Sequence, residues 1–444
     1  MTLQVLELND IQSGVLRPRP TPFQAAYIVL RIDDANAGRE LMGRLSNVVA
    51  SAAHNESPAR DTWVSASLSY AGLKALGVPS PSLESFPTPF KQGMAARAGT
   101  LGDTGESSPE HWEKPLGSGD VHVVLTAIST DQAQLDAALA RARTAYDQFA
   151  GVTAIWRQDC HVLPGEREPF GFRDGISHPA IEGSGIAGSN PHEVPLKAGE
   201  FVFGYPSEMS EKPFIPQPDV LGRNGSYIVF RKLQQRVALF RQYLKANASD
   251  AADQELVAAK MMGRWRSGAP LALAATADDP SLGDDAKRNN DFLFNEDPLG
   301  YKTPLGSHVR RVNPRDAQIA GIVRIHRMIR RGTAYGPPLP DGELEDDGID
   351  RGLMFAFVGA DLARQFEFVQ SQWMNDSAFF AGPTTERDPV SGAGDGHGTY
   401  GIPRRPLRRQ LREIPRFVVT RGGEYCFLPS LSALRWLSDS ANYT

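Results

Sequence analysis

Three side chains, far apart along the chain, have the types needed to cleave a peroxide. His308 stands in Pro304-Leu305-Gly306-Ser307-His308-Val309-Arg310-Arg311-Val312-Asn313-Pro314-Arg315. A neutral imidazole is a good axial ligand for haem iron, and that ligand tunes the metal. Asp174 stands in Gly171-Phe172-Arg173-Asp174-Gly175, a carboxylate on a glycine-hinged turn. Such a turn lets the backbone come close to a flat cofactor. Arg330 opens Arg330-Arg331-Gly332-Thr333-Ala334-Tyr335-Gly336 and would supply a cation for developing negative charge. A metal ligand, a proton carrier and a guanidinium are the parts of a peroxide-cleaving haem site. If His308 opens a helix, Arg311 projects on its side. Its forked donors would suit a haem propionate, with Arg310 and Arg315 as weaker candidates.

Each of these residues also has an ordinary reading. The chain has nine histidines, and most histidines are structural or exposed. Asp-Gly is a turn signal that occurs four times here. Arginines at 324, 327, 330 and 331 would equally form a solvated helix face ending at Gly332. The six arginines between Arg404 and Arg416 read as a solvated or salt-bridged face, with an anionic partner or a cofactor carboxylate as the alternative.

The bulk properties narrow the classes. With 444 residues, 41% hydrophobic and 22% charged, the chain reads as an ordinary globular protein of two or three domains or one composite domain. A net charge of −5 argues against a nucleic-acid surface. No 18-residue apolar run is present, so no membrane helix is expected. Residues 1–10 lack the basic and apolar regions of a secretory signal, and Arg17-Pro18-Arg19-Pro20 is not a twin-arginine signal; a cytoplasmic location is expected. The two cysteines, Cys160 and Cys426, belong to no metal or c-type haem pattern.

The elements that must position these residues follow from hydrophobic period. Residues 24–33 read as a strand, 37–53 as a helix, 63–69 as a strand and 70–76 as a short helix. Residues 84–118 read as a long Gly/Pro/Ser-rich loop, 121–128 as a strand, 130–149 as a helix capped by Thr130, and 152–162 as a strand. This is the split βαβ, or ferredoxin-like, order. Residues 163–218 read as irregular apart from 201–205. A second unit begins with a strand at 226–231, helices at 237–246 and 253–265, and a loop-like stretch at 276–308. It continues with a strand at 353–359, a helix at 361–373, and a hairpin of 417–419 with 425–428 around Arg421-Gly422-Gly423. The same architecture used twice is expected, with domains at 1–218 and 219–444.

Those motifs together resemble the dye-decolourising peroxidases, specifically their larger-loop members. Gly171 to Pro179 resembles the family's GxxDG signature. The stretch from His308 to Arg315 looks like its axial-histidine motif, and Arg330 to Gly336 its distal-arginine segment. Gly352 to Phe357, Arg364 to Trp373 and Arg416 to Ser430 also match, so the likeness runs from about residue 160 to 440. Ala334 departs from it, because relatives often carry proline there. The resemblance implies an α+β fold of two ferredoxin-like domains in a dimeric α+β barrel-type architecture. It implies one haem b per chain in the C-terminal half, with hydrogen peroxide and an organic electron donor, such as a dye or phenolic, as reactants. It implies His308 as metal ligand, Asp174 as acid–base and Arg330 as distal cation. Arg311, Ile176, Leu353, Phe355 and Asp388 are then cofactor-binding, Asp388 being the carboxylate partner of His308 with Asp395 second. Tyr335 and Trp373 are candidate electron relays or ordinary packed aromatics. A monomer or homodimer is expected, with no nucleic acid and no membrane. A haem-handling protein of the same fold without turnover is the alternative; a haem-free barrel and an oxygenase are further rivals.

Overall fold

The computed structural model of the chain describes residues 5–53, 61–148, 150–317, 321–378 and 386–443. Eleven strands are present among them: β1 Gln24–Ile32, β2 Trp63–Ser69, β3 Val123–Ser129, β4 Val152–His161, β5 Ser226–Gln235, β6 Ile329–Arg330, β7 Thr333–Tyr335, β8 Gly352–Gly359, β9 Gly398–Ile402, β10 Arg409–Ile414 and β11 Val418–Leu428. Nine form one antiparallel sheet in the order β4-β1-β3-β2-β11-β5-β8-β6, with β7 also on β8; β9 and β10 form a separate hairpin. The first four strands have the ferredoxin-like order 4-1-3-2. The last four positions repeat it, with β11, β5, β8 and β6 in those roles. The halves join where Cys426 and Phe427 of β11 pair with Ser69 and Leu68 of β2. The sheet curls until its edge strands β4 and β7 lie against each other, and Tyr27 Oη on the neighbouring β1 shares a 3.0 Å hydrogen bond with Thr333 Oγ1 on β7.

The period of two along each strand divides the core. On β1, Ala25, Tyr27 and Val29 face the barrel interior with Ile228, Phe230, Met354, Ala356 and Val358. The alternate residues Ala26, Ile28 and Leu30 pack outward against Leu41, Leu45, Leu135, Leu139 and Leu434 of three covering helices. Fully burying one such side chain contributes about 1.5–3 kcal/mol. These helices are Ala35–Leu45, Gln132–Tyr146 and Leu431–Ser438.

Several local expectations are corrected. The first helix stops at Leu45, well short of residue 53. Asp131, not Thr130, caps the Gln132–Tyr146 helix by accepting from Gln134 N; Phe149 lies outside the described residues. The stretch 84–118 is broken into short helical turns, including Thr88–Gln92 and Ala98–Leu101, and its Phe90, Met94 and Leu101 are buried. Residues 201–205, expected as an exception to the irregular stretch, form turns. The expected hairpin at Arg421 is one continuous strand with a register shift between Thr420 and Gly422, a β-bulge. Gly422 lets it pass because a Cβ there would lie 2.5 Å from Leu116. The 361–373 helix is wound as two π-helical turns, Leu362–Glu367 and Val369–Met374.

Candidate functional site

On the outer face of the C-terminal half of the sheet lies a cavity of about 290 Å³. Its floor is three strands read at alternate positions. Val418 and Thr420 on β11 pair with Gln235 and Leu233 on β5, and Leu233 and Arg231 pair with Leu353 and Phe355 on β8. All seven side chains line the cavity, as do His308, Asp174, Ile176 and Arg330. Residues separated by more than 150 positions therefore converge on one space.

His308 opens the short helix His308–Val312. Its Nδ1–H donates to Asp388 Oδ2 at 2.7 Å, and Ser391 Oγ lies 3.2 Å from the same nitrogen. The other oxygen of Asp388 accepts from the N–H groups of Val390 and Ser391 at 2.9 and 3.0 Å. Burial pushes the Asp388 carboxyl up, but His308 and the two N–H donors outweigh it and hold the group below the usual carboxylate range. An ionised Asp388 selects the tautomer whose Nε2 carries the free lone pair. That nitrogen has no hydrogen-bond partner among the described residues, and the imidazole lines the cavity. This is the donor arrangement of a ligating histidine with a carboxylate behind it.

Asp174 sits between Gly171 and Gly175, whose φ angles of +94° and +78° favour glycine. Its Oδ2 lies 3.1 Å from Arg19 Nη1. Burial raises the Asp174 carboxyl, but the charges of Arg19 and Arg330 and the Gly175 N–H outweigh it, so the group is held below its ordinary range. Arg330 leaves β6, which pairs with β8, and its Nη2 donates to Ser177 O at 3.2 Å. It has no carboxylate salt-bridge partner among the described residues. The expected helix through 324–331 is absent: a 3-10 turn at Val323–His326 gives way to β6.

Arg311 is corrected. It is 1% exposed and donates to the carbonyls of Trp373 and Glu386 at 2.7 and 2.8 Å, away from the cavity lining. The short helix leaves the i+3 side chain on its buried side. Arg310 is likewise spent on the carbonyls of Thr303 and Asp297. Arg315 does line the cavity, beside an arginine the sequence reading missed, Arg264. Arg264 donates to Gly268 O, Asn289 O and Asn290 Oδ1, and Arg315 to Asn290 O and Phe292 O. Burial, and then the charges of Arg315 and Arg330, push Arg264 down to about 9; burial brings Arg315 down to about 10 against the opposing pull of Asp316 and Asp291. Neither has a carboxylate salt bridge among the described residues, and Arg315 Nε is buried without an acceptor. A buried and a half-buried cation at one cavity wall, neither in a carboxylate salt bridge among the described residues, fit a ligand bearing carboxylates.

Asp395 is exposed and caps His397 N, so it is not the partner of His308. Tyr335 and Trp373 are both 1% exposed and absent from the cavity lining. Tyr335 donates to Asp350, and Trp373 packs edge-on against His326 and Phe368. Ala334 is accommodated within β7, opposite Leu353. Of the 404–416 arginines, Arg404, Arg405, Arg408 and Arg412 are exposed, Arg409 pairs with Asp253, and Arg416 reaches the cavity. No helix among the described residues is long and apolar enough to cross a membrane.

A chain with a carboxylate-backed imidazole and an acid–arginine pair on one cavity has known relatives. A family model described as the DyP dimeric alpha+beta barrel domain matches residues 10–156. Peroxidase 2 of Mycetinis scorodonius is 32% identical over 84% of this chain and 76% of its own length. The dye-decolorizing peroxidase of Mycena epipterygia is 34% identical over 84% of this chain and 75% of its own. A solved dye-decolorizing peroxidase in complex with 2,6-dimethoxyphenol superposes with a TM-score of 0.85 at 29% identity, covering 98% of this chain and all of that one. The fold is thus the α+β barrel of those enzymes, and the chain belongs to the dye-decolorizing peroxidase family of haem-dependent peroxidases.

Proposed function

We propose that the chain binds one haem b, with His308 as the iron ligand through Nε2 and Asp388 as the carboxylate that orients it. Arg264 and Arg315 would hold its propionates, and Ile176, Leu353 and Phe355 would form the pocket walls. Asp174 is the acid–base and Arg330 the distal cation. The observation that carries this reading is the convergence of His308, Asp174, Arg330, Arg264 and Arg315 on one cavity. Bound haem supplies the iron centre that receives the two oxidising equivalents of hydrogen peroxide.

The protein's part is proton handling and charge placement. Asp174, held ionised, takes a proton from incoming hydrogen peroxide and returns it to the departing oxygen, which leaves as water. Arg330 offsets the negative charge that develops as the O–O bond lengthens. A dye or phenolic donor then restores the enzyme in one-electron steps. The neighbour carrying 2,6-dimethoxyphenol supports that donor class. The repeated 4-1-3-2 strand order supports a division at residues 218 and 219, with the cofactor on the second half and the Asp174 turn contributed by the first. A haem spectrum with and without peroxide, with steady-state oxidation of a dye, tests the reading. A protein that takes up no haem under reconstitution sinks it.

Two variants separate the parts. Asp388→Asn removes the charge behind His308 and should weaken haem retention or peroxide turnover by about 10–100-fold, the usual cost of losing such a partner; equal values for both exclude that role. Replacing Arg315 with Leu removes a charge-assisted donor worth about 1.5–3 kcal/mol. Haem transfer to an apoglobin should speed up roughly tenfold or more, without loss of the iron–histidine spectrum. An unchanged transfer rate would place the propionates elsewhere.

A further inference from the structure

Arg19 belongs to none of the motifs, yet it touches two of them. It lies between Pro18 and Pro20 on the segment leading into β1. Its side chain is 9% exposed, and its Nη1 is 3.1 Å from Asp174 Oδ2. The same nitrogen donates to Gly332 O at 2.5 Å, two residues beyond Arg330. The guanidinium rests over the ring of Phe23, 4.3 Å from its centroid. A Cβ at Gly175 would come within 2.6 Å of Arg19 Nη2, so glycine at 175 makes room for this cation as well as for the turn. One donor thus ties the acid-bearing turn to the segment that carries the distal arginine.

We infer that Arg19 is a positioning residue for peroxide cleavage, holding one oxygen of Asp174 and the Arg330 segment in register so that the carboxylate stays ionised and aimed. The inference rests on the assignment of Asp174 as the acid–base. Other charged and titratable groups face the same spot. Arg330 comes from β6, and its charge reaches Asp174. Glu168 comes from the preceding turn; burial raises its carboxyl, which accepts from Phe170 N, Phe172 N and the Gln235 amide. His178, on the loop after Asp174, is driven down to about 3 by burial and then by Arg331 and Arg330, so it carries no charge. Arg331 is spent on the carbonyls of Leu16 and Arg330. Arg19 is the one among these cations with a hydrogen bond to Asp174. An opposite charge at such range lowers a carboxyl by about 1–3 pH units.

The experiment uses haem-loaded protein and three variants. Arg19→Leu removes charge and donors, Arg19→Gln keeps a donor without the charge, and Arg19→Lys keeps the charge without the fork. Two readouts are followed against pH: the second-order rate of reaction with hydrogen peroxide, and the infrared titration of the carboxyl signal absent from Asp174→Asn. With Leu and Gln, both the acid limb of the rate and the infrared titration should move upward by about 1–3 pH units. Lys should restore the limb but not the full plateau rate, because a flexible ammonium stem lacks the planar guanidinium that rests over Phe23 and fixes the donor between Asp174 and Gly332. A rate loss with both titrations unmoved in Gln or Leu overturns the inference and leaves Arg19 as a structural tie. If Leu fails to fold, Gln and Lys decide the matter alone. The base assignment fails separately: Asp174→Asn would then react with peroxide at the parental rate, while the infrared shift in the Arg19 variants would still appear.

Discussion

His308→Ala is expected to leave the protein folded and largely without haem. The imidazole is the ligand proposed for iron, and its loss should exceed the roughly 10–100-fold penalty typical of losing only the group behind a ligand. The fold should survive, because His308 lines the cavity and belongs to none of the five buried hydrophobic clusters. The change also strips Asp388 of its partner while the Val390 and Ser391 N–H groups remain. A His308→Ala/Asp388→Asn double variant therefore separates lost ligation from a stranded buried carboxylate. Haem-to-protein ratio and thermal midpoint are the measurements. Added imidazole should restore part of the binding. Full haem occupancy with an unaltered spectrum would refute the assignment.

The second large effect is at the opposite wall. Asp174→Asn keeps the shape of the turn and removes the proton acceptor, and should slow the reaction with hydrogen peroxide by about 10²–10⁴-fold. The pH dependence has a definite sign. The working form of Asp174 is the carboxylate, and its titration lies below the ordinary value of about 3.9. The rate should therefore hold as the solution is made acidic and fall only below that value. In the Asn variant this acid limb should vanish. Stopped-flow rates across the acid range check both points. A limb that persists unchanged in the Asn variant assigns the proton transfer to another group.

Much of the site was legible because its residues sit in short, stiff, local signals. Asp174 stands between two glycines, both with positive φ in the structure. His308 follows a Pro-Leu-Gly-Ser stretch and opens a helix there. Asp388, expected only from the likeness to a family, lies 2.7 Å from His308. Arg311 misled because helical spacing tells which residues share a side and not which side faces the cavity. Its guanidinium satisfies three backbone carbonyls in the opposite direction. Arg19 and Arg264 had no signal: one sits between prolines in an unremarkable segment, the other two residues beyond the end of the Ala251–Met262 helix.

By itself the sequence determined the strand order of the first half and the identities of the groups that do chemistry. Alternating apolar residues and turn-forming glycines are local properties, and they act over a few residues. It did not determine where the 84–118 stretch would fold, that 418–428 would run as one bulged strand, or which arginines would line the cavity. Those outcomes come from burial. Phe90 packs on Tyr227 of β5, a surface that exists only in the finished sheet. A guanidinium turns toward backbone carbonyls or toward an open cavity according to what the finished sheet leaves unpaired. Tertiary structure alone brought Arg19, 155 positions away in sequence, to within 3.1 Å of Asp174.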